Sequence, residues 1–275
     1  EKFPLHPLHP YRPKKADLDD LLRFESQLGI SHVCLIAFSV YHTDNSSIVD
    51  ALTKLGGKGR AVVCIDPEAV TDGELRKLHG LGARGVRLNL KTRDQRLGKI
   101  EFEGLLKSYA DKIRCLGWAL QLFVAMEQID LIADVLPTLG IPVVIDHLGA
   151  PHPSKGAPKT QPGYEAFMKL LRSGQVWTKL SGTYRFDKVP GLEEYIMDVL
   201  RIAPNRVVWA SDWPHSGGAQ ANPGGDCNAI QEYRKIDDRA WVDRCKSWCR
   251  AVSGENLIRK IWRDNPRALW QYDDK

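Results

Sequence analysis

Residues 142–146 read PVVID, an apolar run that ends at an aspartate and is followed directly by His147. A short run without alternating polar residues is typical of a parallel strand that is covered on both faces. Six similar runs lie elsewhere in the chain, at residues 32–38, 60–65, 85–90, 118–124, 176–180 and 206–210. The sequence therefore predicts seven buried parallel strands.

The segments between these runs carry apolar residues at every third or fourth position, the pattern of amphipathic helices. They cover residues 17–28, 71–81, 103–116, 129–139, 163–171 and 192–202, and residues 237–275 form a helical tail that Gly254 interrupts. Alternating strands and helices form either an open doubly wound sheet or a closed barrel. Because a filled barrel needs about eight strands, we expect a TIM-type (β/α)8 barrel. Residues 1–275 would form a single domain, and the barrel's first strand would precede Glu1.

The composition excludes several classes of protein. Of the 275 residues, 43% are hydrophobic and 27% are charged, and the net charge of +5 is mild. The basic residues are scattered among acids, so no nucleic-acid partner is predicted, although small anions fit the charge. Six cysteines without a CxxC pair indicate free thiols in a reducing compartment. Without a long apolar run or a leader, we expect a cytoplasmic protein with no membrane partner, and a homo-oligomer is left open.

Polar residues at the carboxyl ends of barrel strands commonly face the active site. His147 follows one predicted strand, and Asp212 follows another. A neutral imidazole can polarise a carbonyl or bind a metal, although a histidine here can also be a core residue bonded to nearby backbone. The carboxylate can hold a water as a general base, although a strand-end aspartate can also cap a helix. His147 and Asp212 are thus the candidate catalytic residues.

Three arginines lie within or after predicted strands. Arg87 stands inside GVRLNL, and Arg93 and Arg185 lie just beyond strand ends. A charge within a buried strand is costly unless it meets an anion. Guanidinium groups form forked hydrogen bonds to carboxylates, so the three could bind an anionic substrate and keep Asp212 ionised. The alternative is ion pairing with local acids such as Asp94 or Asp187.

Three further residues are candidates for lining the substrate pocket, and two common catalytic or cofactor-binding motifs are missing from the sequence. Ser39 could reach the mouth of the barrel, and Tyr11 and Phe123 could line the pocket, although Phe123 is also suited to simple packing. The chain has no GxSxG elbow, which disfavours a serine nucleophile of the α/β-hydrolase type. It also has no glycine-rich phosphate loop, which argues against a nucleotide cofactor.

Four strings together resemble one family of barrel hydrolases. They are VVIDHLGAP at residues 143–151, KLSG at 179–182, VVWASDWPH at 207–215 and NPRALW at 265–270. The chain resembles the amidohydrolase-related family, in its "amidohydrolase 2" branch, along essentially its whole length. Within that branch it is most similar to the lactonases that open 2-pyrone-4,6-dicarboxylate, enzymes of aromatic compound degradation.

The resemblance implies a lactone hydrolase with a defined set of site residues. Asp212 would activate water, and His147 would bind or polarise the lactone carbonyl. The residues implied to bind the substrate carboxylates are Arg87, Arg93, Arg185 and Tyr11. No metal is implied as a requirement. Zinc or manganese would bind only if an upstream strand supplied a His-x-His pair beside His147 and Asp212.

The sequence departs from the family pattern at two places. The His-x-His pair of the family's first strand is absent, and HPLHP at residues 6–10 has the wrong spacing. Phe123 stands where the lactonases lead us to expect a tyrosine, which removes one hydroxyl from the carboxylate site. Two alternatives to a lactonase therefore stay open. One is a metal-dependent decarboxylase or amidohydrolase of the same fold, and the other is an inactive dicarboxylate-binding relative.

Overall fold

The computed structural model describes residues 2–92 and 96–272. The contacts between residues divide the chain into two compact units. The first unit contains Glu1–Arg87 and Trp213–Ile236, and the second contains Leu88–Asp212 and Asp237–Lys275. The single domain over residues 1–275 stays a prediction.

The strands form two parallel sheets. The larger sheet contains seven strands in chain order, β2 to β8, and the smaller pairs β1 with β9. The strands are β1 (Arg12–Pro13), β2 (Val33–Ile36), β3 (Gly59–Val63), β4 (Ala83–Asn89), β5 (Ala119–Phe123), β6 (Val143–Ile145), β7 (Trp177–Leu180), β8 (Val207–Trp209) and β9 (Ile230–Gln231). All seven predicted strands are thus confirmed, with small differences at their ends.

Helices separate most of the strands. They are α1 (Leu18–Leu28), α2 (Ser46–Leu55), α3 (Asp72–Leu81), α4 (Lys99–Ile113), α5 (Ile129–Ile132), α6 (Tyr164–Arg172), α7 (Leu192–Ile202), α8 (Asp238–Ser253), α9 (Glu255–Arg259) and α10 (Asn265–Trp270). Among the residues that the structure describes, no helix combines the length and apolarity that a membrane crossing needs.

Two helices of the first unit, α1 and α3, begin with side-chain caps. The Asp17 side chain accepts a hydrogen bond from the Asp20 backbone at the start of α1, and Thr71 does the same with Glu74 at α3. Such caps satisfy backbone N–H groups that lack a partner within the helix. These local signals explain why the predicted helices at residues 17–28 and 71–81 are confirmed.

The second unit is built around strands that are buried throughout. Every residue of β5 and β6 is buried, as near-continuous apolar runs require. The α4 helix packs its apolar face inward, where Phe102, Leu106, Ala110 and Ile113 are fully buried. This packing holds the carboxyl ends of the strands in fixed positions.

One helical prediction is wrong, and one helix was not predicted. The helix predicted over residues 129–139 is wrong, because α5 ends at Ile132 and a separate 3-10 turn covers Leu136–Thr138. Pro137 within that turn has no backbone N–H and cannot continue the α-helical hydrogen bonding. The α2 helix was not predicted, although its carboxyl end lies at Gly56, whose left-handed conformation is typical of a helix C-cap.

Candidate active site

Three strand ends of the second unit bring the candidate catalytic groups together. His147 follows β6, Arg185 lies beyond β7, and Asp212 follows β8. Nε2 of His147 lies 3.8 Å from Oδ1 of Asp212. The carboxyl ends of parallel strands meet at one edge of a sheet, so residues far apart in the sequence become neighbours. The predicted pair of imidazole and carboxylate therefore exists in the structure.

The His147 ring is held from three sides. Its Nδ1 atom lies 2.8 Å from the Ser181 hydroxyl, and the Phe123 ring packs against it edge to face at 5.0 Å. A Cβ atom added to Gly182 would lie 2.6 Å from Nδ1, so only glycine leaves room for the imidazole. Phe123 thus packs on the catalytic candidate.

The backbone that carries His147 has an uncommon conformation. His147, Leu148, Gly149 and Ala150 all have positive φ values, between 49° and 73°. This left-handed region is unfavourable for residues other than glycine and persists only where surrounding contacts hold it. Here the buried Tyr195 hydroxyl donates a 2.6 Å hydrogen bond to the Leu148 carbonyl. A strained turn thus sets the direction of the imidazole.

The two carboxylate oxygens of Asp212 have different surroundings. Oδ2 accepts hydrogen bonds from the Tyr184 hydroxyl at 2.5 Å and from Nε and Nη2 of Arg185 at 3.0 and 2.9 Å. Oδ1 accepts none within the described part of the chain and faces His147. The side chain is 20% exposed. One oxygen is therefore fixed by the protein, and the other is placed to contact a water or a substrate.

The same contacts control the protonation of the pair. Burial by itself would raise the pKa of Asp212. Arg185, the hydrogen bonds from Tyr184 and Arg185 and, whenever its ring is protonated, His147 outweigh burial and hold that pKa well below its ordinary range. Burial lowers the pKa of His147, although Asp212 opposes the change. At neutral pH the site therefore holds an ionised carboxylate and a neutral imidazole.

A buried polar network links the strands on either side of His147. Lys179 on β7 lies 3.2 Å from Oδ1 of Asp146, and its ammonium donates a 2.7 Å hydrogen bond to Gln121 on β5. Gln121 in turn donates to Oδ2 of Asp146 at 2.7 Å. All three residues are buried, and a buried charge needs such partners. The network ties β5, β6 and β7 together at the base of the site.

The first unit gathers three of the predicted substrate-binding residues around the segment after β2. Nη1 of Arg87 donates a 3.0 Å hydrogen bond to the Ala37 carbonyl. The Tyr11 ring packs edge to face on Phe38 at 5.8 Å, and Ser39 is the next residue. Both Tyr11 and Ser39 are buried. Their roles in substrate binding, and that of Arg87, stay predictions.

The remaining predicted residues differ in how the structure places them. Arg93 lies outside the described residues. Arg185 pairs with Asp212, which lies on another strand end and is not one of the local acids that the alternative named. Sequence reasoning missed Ser181 and Tyr184, although both follow β7 at the strand end where polar residues were sought. It also missed Lys91, two residues beyond β4.

The predicted metal ligands do not make a complete metal site. Over residues 2–92 and 96–272, no three His, Cys, Asp or Glu side chains form a group that could hold a metal ion. His147 and Asp212 supply at most two ligands, whereas catalytic zinc sites use about three protein ligands. These two residues therefore do not supply the ligand set of a catalytic zinc site.

The fold and the site together define a class of protein. Parallel strands alternate with helices, and polar side chains at strand ends form the candidate centre, as in enzymes built on (β/α) barrels. A family model described as "Amidohydrolase" matches residues 1–271. The chain belongs to this amidohydrolase family, and the predicted resemblance and fold class are confirmed.

Several relatives are similar over most of the chain. A 4-sulfomuconolactone hydrolase of Hydrogenophaga intermedia is 30% identical over 78% of this chain and 71% of its own. A 2-pyrone-4,6-dicarboxylate hydrolase of Comamonas testosteroni is 30% identical over 78% and 72%. A solved Pseudomonas putida structure, described as a 2-pyrone-4,6-dicarboxylic acid hydrolase, has a TM-score of 0.78 and 27% identity over 98% of this chain and 92% of its own.

A more distant neighbour bears on metals in this fold. The structure of an amidohydrolase from Burkholderia multivorans contains bound zinc. It has a TM-score of 0.70 and 14% identity, covering 94% of this chain and 90% of its own. The fold thus accommodates a metal in at least one protein. At this identity the likeness extends to the fold alone.

Proposed function

We propose that the chain is a hydrolase that opens a small carboxylated lactone of the 2-pyrone-4,6-dicarboxylate type. The coarser prediction, a hydrolase that acts on a cyclic ester, is supported by relatives that hydrolyse 4-sulfomuconolactone and 2-pyrone-4,6-dicarboxylate. The observation that carries the proposal is the geometry of Asp212. Oδ2 is held by three donors, while Oδ1 faces the His147 ring across 3.8 Å.

Asp212 is the proposed general base. Its Oδ1 atom takes a proton from a water molecule while the water oxygen attacks the lactone carbonyl carbon. The three donors on Oδ2 fix the orientation of the carboxylate, which lowers the entropic cost of reaching the reacting geometry. They also keep the group ionised, and a base must be ionised before it can accept a proton.

His147 is the proposed donor to the carbonyl oxygen. When the Ser181 hydroxyl donates to Nδ1, the proton of the neutral ring resides on Nε2, the atom that faces Asp212. This N–H stabilises the negative charge that develops on the oxygen, a contribution of about 3 kcal/mol for one such donor. The tetrahedral intermediate then expels the ring oxygen, which takes the proton held by Asp212.

Arg185 connects substrate binding to the base. Its guanidinium pairs with Oδ2 of Asp212. A substrate carboxylate that accepts hydrogen bonds from Arg185 weakens this pair, so the pKa of Asp212 rises and the carboxylate becomes a stronger base. Arg87, Arg93, Tyr11 and Ser39 are proposed as further substrate-binding residues, with Phe123 packing beside the ring.

Replacement of Asp212 by Asn tests the proposal. We expect turnover of 2-pyrone-4,6-dicarboxylate to fall between about a hundredfold and ten-thousandfold, while calorimetry still detects binding. The matched control is Asp198→Asn, which removes a half-exposed carboxylate paired with Arg201. This control should leave turnover unchanged. Turnover that survives in Asp212→Asn contradicts the assignment of the base, and binding without turnover by the unsubstituted protein supports an inactive relative.

A further inference from the structure

A lysine beside the proposed site has no acidic partner. The Lys91 ammonium donates a 2.9 Å hydrogen bond to the Ala150 carbonyl. No carboxylate lies within ion-pairing distance of it in residues 2–92 and 96–272. An ammonium group has three donors, and a partly buried cation is unfavourable unless it meets an anion. Lys91 is therefore suited to an anion that comes from outside the protein.

Two aromatic contacts place this lysine next to the catalytic candidates. Nζ of Lys91 lies 5.7 Å from the centre of the Phe123 ring. Phe123 in turn packs edge to face on His147. The backbone N–H groups of Leu90 and Lys91 both donate to the Phe123 carbonyl, which fixes the segment against β5. The ammonium and the imidazole therefore contact the same phenyl ring.

The charges around Lys91 leave a positive excess. The acid that acts on Lys91 is Glu127. Glu127 already pairs with Lys155 at 3.1 Å and with Arg96 at 3.7 Å. Arg185 and Lys155 both act against the charged form of Lys91. Burial, the largest cause, and these cations lower the pKa of Lys91 to about 8 in spite of Glu127. An additional anion would relieve this repulsion.

We propose that Lys91 binds a second acidic group of the substrate, a carboxylate or sulfonate carried on the far side of the lactone ring from the scissile carbonyl. The inference rests on the proposed function and names a determinant of substrate choice within it. The names of the relatives specify two carboxylates in one substrate and a sulfonate in the other. The Lys91 ammonium contacts the same phenyl ring as His147, and its positive charge can bind either group.

Binding and turnover of Lys91 variants test this role. The probes are 2-pyrone-4,6-dicarboxylate, its two monocarboxylated counterparts, and pyridine-2,4-dicarboxylate, which cannot be hydrolysed. We expect Lys91→Met to weaken binding of pyridine-2,4-dicarboxylate about tenfold or more, because a hydrogen bond to a charged group is lost. Affinity for one of the monocarboxylated pyrones should change less than about twofold.

Three controls separate charge from structure. Lys155→Met removes a neighbouring cation that already pairs with Glu127, and it should change the affinity less than about twofold. Lys91→Arg retains the charge and should restore most of the affinity. Between pH 7 and 9 the unsubstituted protein should lose affinity for pyridine-2,4-dicarboxylate as Lys91 loses its proton, whereas Lys91→Met should show no such step.

The outcomes distinguish this inference from the proposed function. Equal losses for diacid and monoacid ligands in folded Lys91→Met would mean that the lysine only supports the turn at Ala150, and the inference would be wrong. Unchanged diacid binding, or no measurable diacid binding by the unsubstituted protein, would also contradict it. If no lactone is hydrolysed but Lys91→Met still loses diacid binding selectively, the inference stands and the lactonase proposal fails.

Discussion

Replacing Gly182 by alanine tests how tightly the backbone after β7 positions His147. The new methyl carbon would lie 2.6 Å from Nδ1, whereas ordinary contacts of this kind need about 3.5 Å. The ring must therefore move by about 1 Å, and a displacement of that size can cost about a hundredfold in rate. We expect kcat to fall about a hundredfold, equivalent to about 2.7 kcal/mol in the activation barrier.

Gly191→Ala is the matched control for backbone strain. Gly182 has a φ of +62° and Gly191 a φ of +70°, so alanine costs about 1–2 kcal/mol of folding stability at either position. The nearest atom to a new Cβ at Gly191 is 4.0 Å away, in Glu194. Thermal unfolding should show a loss for both variants, with a larger loss for Gly182→Ala because the buried ring must also move. A spectrophotometric lactone assay should show lost kcat only in Gly182→Ala. Equal kcat values for the two variants would refute the reasoning.

Three further predictions concern the buried network and the pH dependence. Lys179→Met leaves Asp146 buried without its cation, so urea unfolding should show a loss of about 3–5 kcal/mol; a loss below about 1 kcal/mol would contradict the network. Arg185→Gln removes a cation that stabilises the Asp212 carboxylate, so the acid limb of kcat/KM should move to higher pH, and an unmoved limb argues against this coupling. For diacid lactones kcat/KM should fall above about pH 8, where Lys91 becomes neutral. If kcat/KM of Lys91→Met falls over the same pH range, deprotonation of Lys91 is not the cause.

Much of the fold could be predicted from the sequence because buried parallel strands leave a strong local signal. The run at residues 118–124 contains β5, and every residue of β5 is buried. The spacing of apolar residues predicts helices less well where a short helix is followed by a turn. Within residues 129–139, apolar spacing suggested one helix, but a short helix and a 3-10 turn meet the same spacing. Periodicity reports which residues face the core and does not report where the backbone changes conformation.

The candidate site was only partly predictable. His147 and Asp212 could be chosen because each directly follows a buried run, and strand ends converge in this fold. The partner of Arg185 could not be chosen, since Asp187 is near in sequence whereas the contact forms with Asp212 on another strand end. Lys91 gave no signal in the sequence. Its significance depends on two contacts that only the three-dimensional structure shows. Nζ of Lys91 lies over the Phe123 ring, and Glu127 already pairs with Lys155.

A crystal structure of Asp212→Asn with bound 2-pyrone-4,6-dicarboxylate tests the central claim most directly. We predict that the lactone carbonyl oxygen lies about 2.7–3.2 Å from Nε2 of His147, within hydrogen-bonding distance. A water molecule should stand between the carbonyl carbon and the side chain at position 212. A lactone bound with its carbonyl turned away from His147, or bound away from these two side chains, would contradict the account.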